Sequence, residues 1–212
     1  MNGAPENRGP SLVVKLGGSQ AASPRLCDWL GVIAASPATL VVPGGGPFAD
    51  TVRAQQNVIG YDERAAHEMA MLAMAQFGRA LCALAPTCEL VASEARIARV
   101  CGAGGVGIAV PWPMLAAEAE LPASWQVTSD SIALWFARRF AVPLLLIKPV
   151  DAAPGADLSA LAAAGVIDRF FPGLAAGFRP PIHLAGPADL PPGRSLDRDR
   201  LPGAALRVTQ FA

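Results

Sequence analysis

The chain has no excess charge of either sign: 17 lysines and arginines balance 17 aspartates and glutamates, for a formal net charge of zero. Such a balance supplies no long-range field for nucleic acid or an acidic membrane surface, so neither is expected as a partner and any anion site must be local. Long apolar runs are missing as well. No stretch approaches the roughly 20 residues that a bilayer-crossing helix needs. The first ten residues are polar and lack the apolar centre of a signal peptide. These absences lead us to expect a loose tail over 1–10, a single domain over 11–212 and a cytoplasmic location. The four cysteines, Cys27, Cys82, Cys88 and Cys101, show no C-x-x-C or Cys/His spacing, so no metal-binding set is expected and reduced, mostly buried thiols are. No Ser-His-Asp or Cys-His arrangement suggests a hydrolytic triad.

What is present is a large apolar fraction, 52% of 212 residues, enough to bury a substantial core. Short apolar runs alternate with helical periodicity. Leu12-Val13-Val14 and Leu40-Val41-Val42 read as buried strands, each stopped by glycines. A short helical segment follows around Leu26, Trp29, Leu30 and Ile33. Pro47 suits the first turn of a helix, where its missing N–H costs nothing, and Phe48 and Val52 carry that helix forward. Apolar residues three and four apart, from Ala66 through Phe77 to Leu84, predict a long helix over about 63–85, ended by Pro86. Residues 89–92 and 106–110 read as short strands, 101–107 as a glycine-rich connection and 111–122 as a loop with one helical turn. A helix capped by Ser129 or Asp130 runs to Phe140. The most apolar strand is 142–147. A short helix over 159–166 and closing strands at 181–184 and 206–208 complete the reading. This alternation implies an α/β protein, a three-layer α/β/α sandwich with a largely parallel sheet.

The chemistry concentrates in two glycine turns. Lys15-Leu16-Gly17-Gly18-Ser19 follows the first strand and Gly44-Gly45-Gly46 the second. Bare backbone N–H groups in a glycine-rich concavity hold phosphate oxygens, and a lysine adds full charge. Neither turn is a Walker A loop, which needs G-x-x-x-x-G-K-[ST], and Gly44 to Ala49 does not make the dinucleotide fingerprint. A tight turn alone would also explain one glycine triplet; the pair points to two phosphate sites. Asp130 is either a helix cap or a carboxylate that orients lysines. Lys148 interrupts an apolar strand at its C-terminal end, so it needs an anionic partner or an exit to solvent. Asp151 lines a nucleotide or caps a turn. His67, on the long helix, is structural or catalytic, and His183 packs or bonds to backbone.

Taken in order, Lys15-Leu16-Gly17-Gly18-Ser19, Val42-Pro43-Gly44-Gly45-Gly46, Ser129-Asp130-Ser131-Ile132-Ala133 and Leu145-Leu146-Ile147-Lys148-Pro149-Val150-Asp151 resemble the amino acid kinase family. The resemblance spans about residues 12–208. It implies an α/β/α sandwich, transfer of the γ-phosphoryl group of ATP with Mg2+, and a homo-oligomer. Catalytic roles fall on Lys15, Asp130 and Lys148, nucleotide contacts on Gly17, Gly18, Ser19 and Asp151, and substrate contacts on Gly44, Gly45, Gly46, Asp50 and His67. Larger members read Thr-Asp-Val-Asp-Gly-Val where this chain reads Ile147-Lys148-Pro149-Val150-Asp151-Ala152. Their later Gly-Gly-Met segment, with a second lysine, is not visible. Either Lys148 does that lysine's work or the mechanism has one lysine fewer. The short length, Gly44 to Asp50, Ala66 to Ala70 and Trp125 to Ala133 are most similar to the subgroup that converts an (aminomethyl)furan-methyl phosphate to its diphosphate in methanofuran and methylofuran biosynthesis. A small phosphorylated molecule is then the expected substrate. The alternatives are a non-catalytic nucleotide- or anion-binding homologue and a carboxylate kinase of the acetylglutamate type.

Overall fold

The computed structural model describes residues 9–116, 118–193 and 195–208. Of the ten residues expected as a tail, only Gly9 and Pro10 are among them; Gly9 lies close against the Phe140 ring and Pro10 is buried. A seven-stranded sheet forms the middle layer, in the order β3-β4-β2-β1-β5-β6-β7. Its strands are β1 (Leu12–Leu16), β2 (Thr39–Pro43), β3 (Cys88–Val91), β4 (Val106–Ala109), β5 (Leu144–Ile147), β6 (Ile182–Ala185) and β7 (Ala204–Ala205). All pairs are parallel except β6–β7. This is the expected α/β/α sandwich.

Two apolar clusters cover the two faces. Along β1, Val13 faces one cluster, with Leu40, Val42, Leu144 and Leu146. Leu12, Val14 and Leu16 face the other, with Val41, Leu145 and Ile147. This is the period of two that a pleated strand imposes. Helix α6 (Ser129–Phe140) packs on the first face through Ile132, Ala133 and Phe136. Helix α1 (Leu26–Ala34) packs on the second through Trp29, Leu30 and Ile33. Helix α2 (Gly46–Ile59) starts with Pro47 in its first turn and lies against α3 (Glu63–Leu84). It has no buried residue, and Phe48, Val58 and Ile59 are exposed.

Several expectations change. Helix α4 (Glu94–Gly102) fills the stretch between the strand expected at 89–92 and the glycine connection expected at 101–107, and takes the first two residues of that connection. Its start is a Ser93 side chain accepting from Arg96 N–H, and it buries only Ile97 and Cys101, too few apolar positions for periodicity to show. Helix α5 (Pro111–Leu115) is the turn expected in the following loop. Helix α7 (Leu158–Ala163) is capped by Asp157, and α8 (Phe171–Leu174) was not foreseen. The cap of α6 is Thr128, not Ser129 or Asp130: those two have already entered the helix, and the Thr128 hydroxyl accepts from Asp130 N–H. The last strand pairs at Ala204–Ala205 rather than 206–208. Leu206 N–H still donates to Ile182 O, but Arg207 turns away to bond Ala156 O and bridge Asp157. Alanine has low strand propensity, so register rather than composition makes β7.

Candidate active site

Strand β1 lies between β2 and β5, with β2 and β4 to one side and β5 and β6 to the other, so the strand order reverses at β1. That is where open parallel sheets form their ligand crevice. Lys15 pairs in register with Val42 and Leu146. It lies two residues beyond Val13, so its side chain emerges on the α6 face. Lys148 stands in the same relation to Leu144 and Leu146. It extends the ladder by one residue, its N–H donating to Ala185 O at 2.9 Å. Both lysines therefore meet the first turn of α6, where Asp130 waits.

The three side chains form a buried cluster. Lys148 Nζ donates to Asp130 Oδ2 at 2.6 Å, and Lys15 Nζ lies 2.9 Å from Oδ1. Lys15, Asp130 and Lys148 are 5%, 3% and 8% exposed. The Lys15 contact is an ion pair between two buried groups. Burial alone pushes the Asp130 carboxyl up, but Lys15 and Lys148 outweigh it and hold it below its ordinary value. Burial lowers the Lys148 ammonium to about 8. The Lys15 charge adds to that fall and Asp130 opposes it.

The two glycine turns are in direct contact. A methyl group on Gly18 would overlap the Gly46 backbone, and one on Gly44 would overlap the backbone nitrogen of Gly18. Only residues without Cβ let the turns close this far. A Cβ on Gly17 would come within 2.9 Å of Lys15 Nζ, so the ammonium folds back over this bare position. Gly44 N–H is already spent on Leu16 O at 2.8 Å, which removes it as a ligand donor and leaves that role to its neighbours in the turn.

A cavity of about 500 Å³ opens beside the turns. Gly18, Ser19, Gly45 and Gly46 form its floor, Ala70, Met74, Val127 and Ile132 its apolar walls, and Asp50, Arg53, His67, Thr128 and Ser129 its polar groups. Trp125 also lines it. The Trp125 indole N–H donates to Gln56 Oε1 at 2.7 Å, and the Arg53 guanidinium sits 4.3 Å from its ring centroid, a cation–π arrangement. Burial lowers the His67 imidazole, against the opposing pull of Glu68 and Glu63.

The structure thus brings Lys15, Asp130 and Lys148 together, and separately gathers Gly18, Ser19, Gly45, Gly46, Asp50 and His67 around one cavity. Gly17 and Gly44 support the turns behind it. Asp151 does not line this cavity: it is exposed, and its Oδ1 accepts from Ala188 N–H at 3.2 Å, as in the turn-capping alternative. His183 sits in β6 and belongs to neither group. Arg53 and Trp125 were missed as site residues. Arg53 lies three residues after Asp50, so both belong to one helix face, and that spacing was the available signal.

Among the described residues no group of three or more His, Cys, Asp or Glu is placed to hold a metal ion, and no helix is long and apolar enough to cross a membrane. No family model and no curated protein matches the sequence. Solved structures do match. A uridylate kinase from Archaeoglobus fulgidus aligns over 93% of this chain and 100% of its own, with a TM-score of 0.68 and 14% identity. The UMP kinase from Ureaplasma parvum aligns over 85% of this chain and 91% of its own, with a TM-score of 0.60 and 14% identity. The fold is that of the uridylate kinases, the amino acid kinase fold.

Proposed function

We propose that this protein is an ATP-dependent kinase of the amino acid kinase type whose acceptor is itself a phosphate group. The observation that carries the reading is the contact between the two glycine turns, with two buried lysines on one aspartate behind them and an apolar cavity beside them. In this reading Gly17, Gly18 and Ser19 hold the phosphates of ATP, with Asp151 at the nucleotide's edge. Gly45 and Gly46 turn the acceptor phosphate toward the donor, and Arg53 adds charge to it. An oxygen of the acceptor phosphate attacks the γ-phosphorus, the bond from that phosphorus to the β–γ bridging oxygen breaks, and ADP leaves with the electron pair. Lys15 and Lys148 stabilise the charge that moves, and Asp130 keeps both in place. A phosphate is already a nucleophile at pH 7, so no strong general base is required. Magnesium carried by ATP would neutralise phosphate charge; both Asp130 oxygens face lysines, so this carboxylate would not be the group to hold it.

The acceptor we favour is (aminomethyl)furan-methyl phosphate, converted to its diphosphate in methanofuran or methylofuran biosynthesis. The apolar walls suit a flat ring, and the Asp50 carboxylate suits an ammonium group. A nucleoside monophosphate is the second candidate, favoured by the two uridylate kinases of the same fold. Self-association belongs to the same reading, since α2 leaves Val58 and Ile59 exposed; light scattering checks it. The deciding experiment offers ATP and Mg2+ with a panel of phosphomonoesters, UMP, carboxylates and carbamate, with Lys15→Ala as control. ADP release only with the furan phosphate supports the favoured acceptor. Release with a carboxylate makes the protein a carboxylate kinase. ATP binding with no turnover on any acceptor would leave a nucleotide-binding protein and end the kinase reading.

A further inference from the structure

Four charged side chains are buried among the described residues: Lys15, Asp130, Lys148 and Asp168. The first three make up the cluster just described. The fourth, 8% exposed, comes from the segment between α7 and α8 and touches neither lysine by any ion pair within 4.0 Å among the described residues. A carboxylate is costly to bury without strong partners, and Asp168 has five donors. Its Oδ2 accepts from Thr128 N–H at 2.9 Å, the Thr128 hydroxyl at 2.9 Å and Ser131 N–H at 3.0 Å. Its Oδ1 accepts from the Ser131 hydroxyl at 2.6 Å and Phe171 N–H at 2.9 Å. A second tie joins the same segments, Phe170 N–H donating to Gln126 O at 3.3 Å.

These bonds enclose Asp130 on both sides in sequence. The Thr128 hydroxyl has one proton, and Asp168 takes it. The oxygen's lone pair is thereby left to accept from Asp130 N–H, at 3.4 Å. Ser131, the next residue, is fixed through both its backbone and its side chain. A negative charge here also suits the N-terminal end of α6. The arrangement has a cost that a simple helix cap would avoid: burial, and then the nearby Asp130 charge, push the Asp168 carboxyl above its ordinary value.

We propose that Asp168 is a positioning residue, which acts through Thr128 and Ser131 to set the turn that holds Asp130 between Lys15 and Lys148. It touches no substrate. It also sets the wall of the cavity formed by Thr128, Ser129 and Ile132, so one carboxylate registers the catalytic aspartate against the acceptor site. This rests on the kinase reading for its meaning, but the positioning itself does not depend on the reaction.

Asp168→Asn is the first test. An amide can accept on only one side, so its NH2 must face donors that the carboxylate satisfied. Turnover is expected to fall about 10- to 100-fold, the scale of a small displacement at a reacting centre, with ATP affinity unchanged within about threefold. Amide exchange at Asp130 and Ser131 is expected to rise about tenfold or more, with the sheet unaffected. Thr128→Val, close in shape, cuts only the hydroxyl link and is expected to do the same to Asp130 N–H; it decides the matter if Asp168→Asn does not fold. Unchanged turnover and exchange in a folded variant overturn the proposal. So does exchange that rises evenly across the molecule, which would make Asp168 a general support of the fold. If the unaltered protein phosphorylates nothing in the panel, the kinase reading fails, and amide exchange alone still decides whether Asp168 positions Asp130.

Discussion

Lys148 Nζ lies 2.6 Å from Asp130 Oδ2, a buried ion pair joining the end of β5 to the first turn of α6. Lys15 approaches the other oxygen at 2.9 Å. A single carboxylate therefore holds two ammonium groups where the sheet meets the glycine turns. Lys148→Ala removes one of them. We expect kcat to fall about 100- to 1,000-fold, as for loss of one preorganised electrostatic group, while ATP still binds. Full turnover in this variant would assign the work to Lys15 alone.

Asp130→Asn tests the same pair from the other side. It leaves two buried ammonium groups without their counter-charge, and removing one partner of a buried ion pair costs about 3–5 kcal/mol. Thermal or urea unfolding should show this loss together with the loss of activity. A variant as stable as the unaltered protein would mean that the lysines reach solvent when the aspartate is neutral.

The pH dependence follows from burial. Burial brings Lys148 down to about 8, helped by Lys15 and opposed by Asp130. Its charged form is full below that pH and lost above it. If the transferring phosphoryl group needs that charge, kcat/KM for ATP falls about tenfold per pH unit on the alkaline side. Lys148→Arg keeps its charge throughout and should lose this limb, whatever its absolute rate. An alkaline profile flat to about pH 10 in the unaltered protein would place the required charge elsewhere.

Gly18→Ala and Gly44→Ala each put a methyl group into the backbone of the opposite turn. Backbone cannot rotate away as a side chain can, so the turns must separate. Overpacking of this kind costs about 1–3 kcal/mol, and both phosphate sites should be lost together. Calorimetry and nucleotide titration would show it. Gly31→Ala, with open space around its Cβ position, serves as the control that leaves both untouched.

Arg53 lines the cavity without belonging to the Lys15 cluster. Charge-assisted hydrogen bonds contribute about 1.5–3 kcal/mol, so Arg53→Ala should raise the acceptor KM about 10- to 100-fold. The KM for ATP should not follow. Trp125 loses its cation–π partner in this variant, so Trp125→Phe, which keeps a ring, separates the charge from the wall. A rise in the ATP constant instead would move Arg53 to the donor side.

Strands β1, β2 and β5 were legible because they are short apolar runs with glycine or proline at or just beyond their ends, and the long α3 because its apolar positions recur at helical spacing. Helix α4 escaped because only Ile97 and Cys101 are buried. Strand β7 escaped because two alanines carry no strand signal of their own. In the site, Lys15 and Lys148 stood out as charges ending apolar strands, and Asp130 as an acid at a helix start. Asp151 admits two roles from its sequence context, and its one hydrogen bond among the described residues, from Ala188 N–H, fits the turn cap. Asp168 has no such local anomaly, since an aspartate in a loop is ordinary, and Arg53 offers only its spacing from Asp50.

By itself, the amino-acid order determined that two lysines would sit at strand ends and that two turns would have bare backbone. Strand period and glycine chemistry are local properties, readable along the chain. Only the tertiary structure decided that both lysines face the same helix, that Gly18 and Gly44 touch, and that Asp168 reaches Thr128 and Ser131 from 40 and 37 residues away. Those depend on which strands become neighbours of β1, and pairing order is set by the packing of the whole sheet rather than by any segment of it.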